Sequence, residues 1–151
     1  MENLQKSLND SHEIVSPNQN RRIALVVTLV VLAHLVVVVL HGQAHTRLAI
    51  ALASWQRLYV IVVILLAPLV ALALSWTRYL RAGVWLLLLS MLGSLIFGAV
   101  YHYVIISEDH VAHLPPGDAR GLFRVTALLL LVTETVGVFV AAMIARSTSK
   151  T

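Results

Sequence analysis

The sequence predicts an all-α integral membrane protein, a four-helix bundle with both the N and C termini in the cytoplasm. Apolar residues make up 59% of its 151 residues and charged residues only 12%, which is not the composition of a soluble domain. Four apolar stretches approach the roughly 20 residues that a helix needs to cross about 30 Å of hydrocarbon. None alternates like a barrel strand, so we expect helices.

The basic residues predict the orientation of the spans. We expect a polar cytoplasmic tail at 1–22, a four-span domain at 23–146 with spans at about 23–41, 57–77, 83–106 and 122–145, and a cytoplasmic tail at 147–151. Of the Lys and Arg residues, seven then lie on one side and four on the other, which favours termini inside. The predicted location is the inner (plasma) membrane, with the histidine-bearing loops on its outer side.

The first predicted span carries three histidines near one helical face. His34 and His41 are seven residues apart, and His45 follows four residues later. A helical HxxxH pair such as His41 and His45 can place two imidazoles on one cation, although Gly42 is a candidate end of the helix. The segment 46–57 is too short to cross, so we expect an outer interfacial helix there, either separate or continuous with the second span.

The second predicted span contains Pro68 near its middle. Proline has no N–H, so it leaves a carbonyl one turn earlier without its helical partner and bends the helix. We expect no ligand to bind at this bend. The short segment 77–83 makes the second and third spans antiparallel neighbours.

The third predicted span has a stripe of small residues. Ser90, Ser94, Gly98 and His102 recur every four residues, so they share one helical face that ends in an imidazole. Such a face contacts protein, not lipid. Besides the lipid bilayer, we expect a membrane-protein partner or a second copy of the chain to pack on the Ser90/Ser94/Gly98 face.

The loop after the third span concentrates polar ligand types. Asp109 is followed by His110 and His113 in an HxxH spacing, and a Pro-Pro-Gly turn then prevents any helix from continuing. The fourth span contains Glu134 near the middle of the bilayer. An acid at that depth is neutral or paired, and it is a functional candidate by default.

Six of the seven histidines map to the outer half of the membrane or to the outer loops, which predicts a metal or cofactor site. The predicted metal ligands are His41, His45, His102, Asp109, His110 and His113. A site of nitrogen and oxygen ligands without sulfur fits Zn(II), Cu(II) or non-haem iron. A b-type haem held by His34 and His102 is the other predicted cofactor.

Three kinds of function remain open at this point. A redox or metal-handling component is the first interpretation, and the second is an accessory or assembly subunit of a larger membrane complex, with structural or pH-titrating histidines. Catalysis is undecided: Ser107, Glu108 and Asp109 offer a base beside a metal-bound water, but the loop leaves little room for a substrate.

Composition excludes other classes. The chain has no cysteine, which removes disulfide chemistry, Cys-type zinc sites and iron–sulfur clusters. The net charge of +4 comes from basic residues that flank apolar spans and form no cluster, so we expect no nucleic-acid partner.

The histidine spacings superficially resemble those of one known family. His41/His45 and His110/His113 are similar to the His boxes of membrane fatty-acid hydroxylases and desaturases. That resemblance implies an iron site facing the cytoplasm, whereas the boxes here are predicted outside and lack the doubled histidines of the family. Four-helix b-type cytochromes share with this sequence only the four spans and isolated histidines, so no family is assigned.

Overall fold

The structure, a computed structural model, describes residues 17–148, and every regular element in that range is helical. This confirms the predicted all-helical class, and four of the helices are long and apolar enough to cross a membrane: Asn18–Arg47, Ser54–Ser75, Leu80–Val104 and Arg120–Ser147. Their insertion into a membrane stays a prediction. The sides on which the loops and termini lie stay a prediction. His12 and most of the predicted N-terminal tail lie outside the described residues.

In chain order the helices are α1 (Pro17–Arg47), α2 (Ser54–Tyr59), the π-helix π1 (Val60–Leu66), α3 (Ala67–Ser75), α4 (Leu80–Ala99), the π-helix π2 (Val100–Val104) and α5 (Arg120–Thr148). The second span is α2, π1 and α3 in one continuous run. The segment 48–53 is not helical, so a separate interfacial helix does not form, and the helix continuous with the second span starts at Ser54.

α1 continues past Gly42 and ends one turn later. Ala49 adopts a φ of 54°, the left-handed conformation that closes many helices. The N–H groups of Ala49 and Ile50 donate to the carbonyls of Thr46 and His45, at 3.2 and 3.1 Å. This Schellman closure leaves His41 and His45 within regular helix, one turn apart.

After the predicted orientation, we call the end of the bundle that carries residues 17 and 148 the inner end, and the end that carries residues 105–119 the outer end. The bundle has a closely packed inner half. α5 packs against both α1 and α4, and α3 packs against α4. The core of this half joins Val27 and Val31 of α1 to Leu87 and Met91 of α4 and to Ala141 of α5. A second apolar cluster lies at the outer end and combines the end of α1, the 105–119 loop and the start of α5.

The small-residue stripe lies inside this bundle. Ser90 and Ser94 are buried, and their hydroxyls donate to carbonyls of their own helix, at 3.0 Å to Leu87 O and 2.9 Å to Ser90 O. Gly98 approaches Glu134 of α5, whose Oε2 would lie 3.7 Å from a Cβ placed there. The stripe contacts protein as predicted, and its buried residues pack within this chain. A partner or second copy on this face stays a prediction.

Candidate metal centre

Three imidazoles converge at the outer end of the bundle. His41 and His45 come from the last two turns of α1, and His102 comes from π2. Nε2 of His41 is 3.2 Å from Nε2 of His102 and 3.2 Å from Nε2 of His45. The three residues form a group whose ligand atoms all lie within 4.8 Å of one another, as a metal site requires. We call them the His triad.

The position of His102 depends on a π-helical turn. In π2 the backbone bonds reach five residues back, and the N–H of Ile105 donates to the carbonyl of Val100 at 2.8 Å. Such π segments occur often at functional sites. The four-residue spacing of the small residues before His102 predicts the helical face on which His102 lies. It does not predict the π-helical turn.

Hydrogen bonds on the far side of two rings determine their tautomers. His41 Nδ1 is 2.9 Å from Thr126 Oγ1, and that hydroxyl already donates to the Leu122 carbonyl at 2.7 Å. The hydroxyl therefore accepts from His41, which places the proton on Nδ1. His102 Nδ1 donates to the backbone carbonyl of Asp109 at 3.1 Å. Both Nε2 atoms are thus unprotonated and present lone pairs to the centre of the triad.

The Asp109 carboxylate lies at the edge of the triad. It is 6% exposed, and its Oδ1 is 3.1 Å from His45 Nε2 and 3.3 Å from His102 Nδ1. Neither contact has hydrogen-bond alignment, and both oxygens are buried without a hydrogen-bonded partner among the described residues. Burial raises the pKa of this carboxyl, but the His102 and His45 imidazoles outweigh that effect and hold its pKa below the usual range.

The loop that carries Asp109 folds back over π2. The N–H of Val111 donates to the His102 carbonyl at 3.0 Å, and the Asp109 N–H donates to Ser107 Oγ at 3.3 Å. Phe123 of α5 is fully buried against the triad, with ring centroids 4.6, 5.0 and 5.4 Å from those of His41, His45 and His102. The triad therefore has a carboxylate at one edge and an apolar ring beside it.

The other predicted loop ligands form a separate pair. His110 Nδ1 and His113 Nδ1 are 3.1 Å apart, and His110 Nδ1 also accepts from the Ala112 N–H at 3.1 Å. His113 is exposed, and neither residue belongs to the candidate metal group found in residues 17–148. Their role as ligands stays a prediction.

His34 makes a different contact. It is fully buried in α1, and its Nε2 is 3.3 Å from the carbonyl oxygen of Ile64. Pro68 is four residues after Ile64 and has no N–H to donate to that oxygen. The carbonyl predicted to be left free by Pro68 is thus the one that His34 contacts. Haem ligation by His34 and His102 stays a prediction. In the structure the His34 ring contacts the Ile64 carbonyl, and the His102 ring belongs to the His triad.

Glu134 is buried in the bundle, as predicted, with 2% of its surface exposed. The adjacent Thr133 and Thr135 hydroxyls donate to carbonyls of their own helix, and the Nε2 of the buried His34 is directed at Ile64, so none of these groups pairs with Glu134. Glu134 instead lines a cavity of about 470 Å³ that also reaches the His triad and Asp109.

No protein-family model matches this chain, and neither curated proteins nor solved structures give a match.

Proposed function

We propose that this protein binds one transition-metal ion through Nε2 of His41, His45 and His102, with the Asp109 carboxylate as the fourth ligand, in a metal-handling or redox role near the outer face of the membrane. The observation that carries the proposal is the convergence of the three Nε2 atoms, two of them with lone pairs directed inward.

The separations fit coordination to a single ion. Zn–N bonds are about 2.0 to 2.1 Å, so two nitrogens on a tetrahedral ion lie about 3.3 Å apart. The two Nε2–Nε2 separations of 3.2 Å are close to that value. Asp109 Oδ1 lies 3.1 Å from His45 Nε2 but outside the group of converging ligand atoms, so the carboxylate must turn toward the ion to become the fourth ligand. Without a cation, the lone pairs of His41 and His102 face each other at 3.2 Å, which is unfavourable.

The ligand set favours zinc. Three neutral imidazoles and one carboxylate contain no sulfur and give a four-coordinate set that Zn(II) accepts, while Cu(II) and Fe(II) are competitors for the same atoms. Zinc has no redox chemistry, so it corresponds to the metal-handling role, and the redox role requires copper or iron. A haem places its two axial ligands on opposite faces of a macrocycle. Three imidazole nitrogens around one point leave no room for that ring between them, so the geometry supports a bare ion.

Asp109 is also positioned to support His102 without binding the ion directly. The same Oδ1 lies 3.3 Å from His102 Nδ1, where a carboxylate orients a ligating ring and raises its basicity. In either position it brings negative charge to a divalent ion, because its pKa is held low and the group stays ionised. The resulting site carries a net charge of +1.

The test is metal content after purification without a histidine tag. We expect one equivalent of metal in the wild type and a loss of most of it in His41→Ala, His45→Ala and His102→Ala. The matched control is His113→Ala, an exposed histidine from the same end of the molecule, which we expect to keep its metal. Equal metal content in the triad variants and the control, with all four folded by gel filtration, would contradict the proposed ligands.

A further inference from the structure

The cavity beneath the His triad extends from the outer end of the bundle to Glu134. Its volume is about 470 Å³, within the range of small-molecule sites. Its walls come from the outer half of α1, from residues 50–52, from π1 and from α4, and the inner end lies at Glu134 of α5. Apolar residues separate its two polar ends: Val38, Val60, Ile64, Leu65, Phe97 and Leu130.

The cavity opens between the first and second spans. α1 packs against α3 and meets π1 where His34 contacts the Ile64 carbonyl, but beyond that contact it has few contacts with α2 and π1. Val39 and Gly42 line the cavity and are exposed, Val39 by 56%, and a Cβ on Gly42 would meet no atom within 4 Å. At this level the two spans are lined by exposed apolar side chains, so the opening faces lipid.

The inner end of the cavity is closed. Met91 is fully buried and packs so tightly on Gly137 that a Cβ there would lie 3.0 Å from Met91 Cγ. These residues belong to the dry inner core or contact it. A molecule that enters from the bilayer therefore stops beside Glu134 and does not pass through.

Both polar ends offer hydrogen-bond donors without partners. Glu134 makes no hydrogen bond or ion pair with the described residues, and because a charged carboxylate in apolar surroundings is costly, it presents a neutral acid with an O–H. At the outer end, the Arg57 side chain also lines the cavity and has no hydrogen bond or ion pair in the described part of the chain. Guanidinium groups only donate.

We propose that this cavity binds a quinone taken up from the bilayer, a flat apolar ring with one carbonyl oxygen directed to Glu134 and the other to Arg57. The ring occupies the apolar middle of the cavity, and an isoprenoid or alkyl tail leaves between α1 and π1. A fatty acid fits less well, because its acceptor oxygens are all at one end and its chain would place methylene groups against the Glu134 acid. The proposal depends on the cavity and Glu134 and not on a bound metal.

The experiment measures saturable binding of decylubiquinone to the purified protein through quenching of tryptophan fluorescence, with chelator present to remove metal. Glu134→Gln keeps an N–H donor and should bind within about threefold of the wild type, whereas Glu134→Leu should bind at least about tenfold more weakly. Gly42→Leu, at the opening, should also weaken binding. Its control is Gly121→Leu, a second helical glycine with open space around it and outside the cavity lining, which should change nothing.

Two results would overturn the proposal. One is quinone binding that is equal in the wild type, Glu134→Leu and Gly42→Leu, which indicates partition into detergent. The other is oleate that displaces the quinone and binds more tightly to Glu134→Leu than to the wild type, which identifies the cavity as a fatty-acyl site. Metal content measured on the same samples before chelation distinguishes this failure from failure of the metal site.

Discussion

Thr126 and the Asp109 backbone fix the orientation of two rings of the His triad. Each accepts a hydrogen bond from Nδ1, so the opposite nitrogen, Nε2, is available for a metal. Outer partners of this kind are typical of histidines that bind metals and often contribute 10- to 100-fold to affinity. The hydrogen bonds on the far side of the rings are therefore part of the proposed site.

Thr126→Val tests this contribution without removing a ligand. Valine keeps the shape of threonine but cannot accept from His41, so we expect metal affinity to fall by about 10- to 100-fold in a chelator competition. Thr133→Val is the matched control, because the Thr133 hydroxyl donates only to carbonyls of its own helix, those of Leu129 and Leu130. An equal effect of both variants would show that Thr126 does not orient the ligand.

Acid should release the metal by protonating the imidazoles. A proton and a metal ion compete for the same ring nitrogen, so metal affinity falls as pH falls. Asp109 does not cause this loss, because its pKa is held below the usual range. We expect at least a tenfold weaker affinity at pH 5.5 than at pH 7.5 by titration with a metal-sensitive dye. Affinity that stays constant over this interval would argue against histidine ligands.

The spacing of the histidines in the sequence predicted part of the site. The HxxxH spacing placed His41 and His45 together, and the four-residue stripe placed His102 on an inward face. The sequence could not show that the loop folds back so that Asp109 joins the triad while His110 and His113 pair with each other. Thr126 was not predicted as a site residue. It lies about two helical turns before Glu134 on the same face of α5, and that spacing indicates a polar side chain that points into the bundle.

Two irregular elements position the ligands and the cavity. π1 lines the cavity, and π2 carries His102. Neither was predicted, because a π segment differs from an α-helix by a single hydrogen-bond shift that leaves the apolar pattern unchanged. The end of α1 was also missed, since Gly42 is the usual signal for a helix end and Ala49 is not.

Ala49→Gly should stabilise the fold. An alanine in the left-handed region costs roughly 1 to 2 kcal/mol that glycine does not, so we expect unfolding to become harder by about 1 kcal/mol. The measurement is the denaturation midpoint in detergent, with metal content as a second readout that should not change. Ala53→Gly, at an exposed alanine with an ordinary φ of −58°, serves as the control and should not stabilise the fold. No change in the midpoint for Ala49→Gly would mean that the strain at Ala49 is absent in solution.

The whole molecule divides into a packed inner half and an open outer half. The inner half is a continuous apolar core, while the outer half holds the His triad, Asp109 and the cavity. Length, composition and four apolar stretches predicted the bundle from the sequence. They did not predict which helices separate at the outer end, because that depends on contacts between distant spans.

The sidedness of the bundle can be measured on a chain that has no native cysteine. We expect a single cysteine at Pro116, in the exposed loop beside the triad, to react with a membrane-impermeant maleimide added to intact cells. A cysteine at Thr77, exposed in the turn between α3 and α4, should react only after the membrane is broken. The reverse pattern would place the His triad on the cytoplasmic side.

X-ray absorption at the zinc edge of the zinc-loaded protein tests the central claim most directly. The proposed site gives four nitrogen or oxygen ligands at about 2.0 to 2.2 Å, with outer scattering from three imidazoles. His102→Ala should reduce the imidazole count or abolish stoichiometric binding. A first shell of six oxygens, or a spectrum with fewer than two imidazoles, would contradict a metal centre built from His41, His45 and His102.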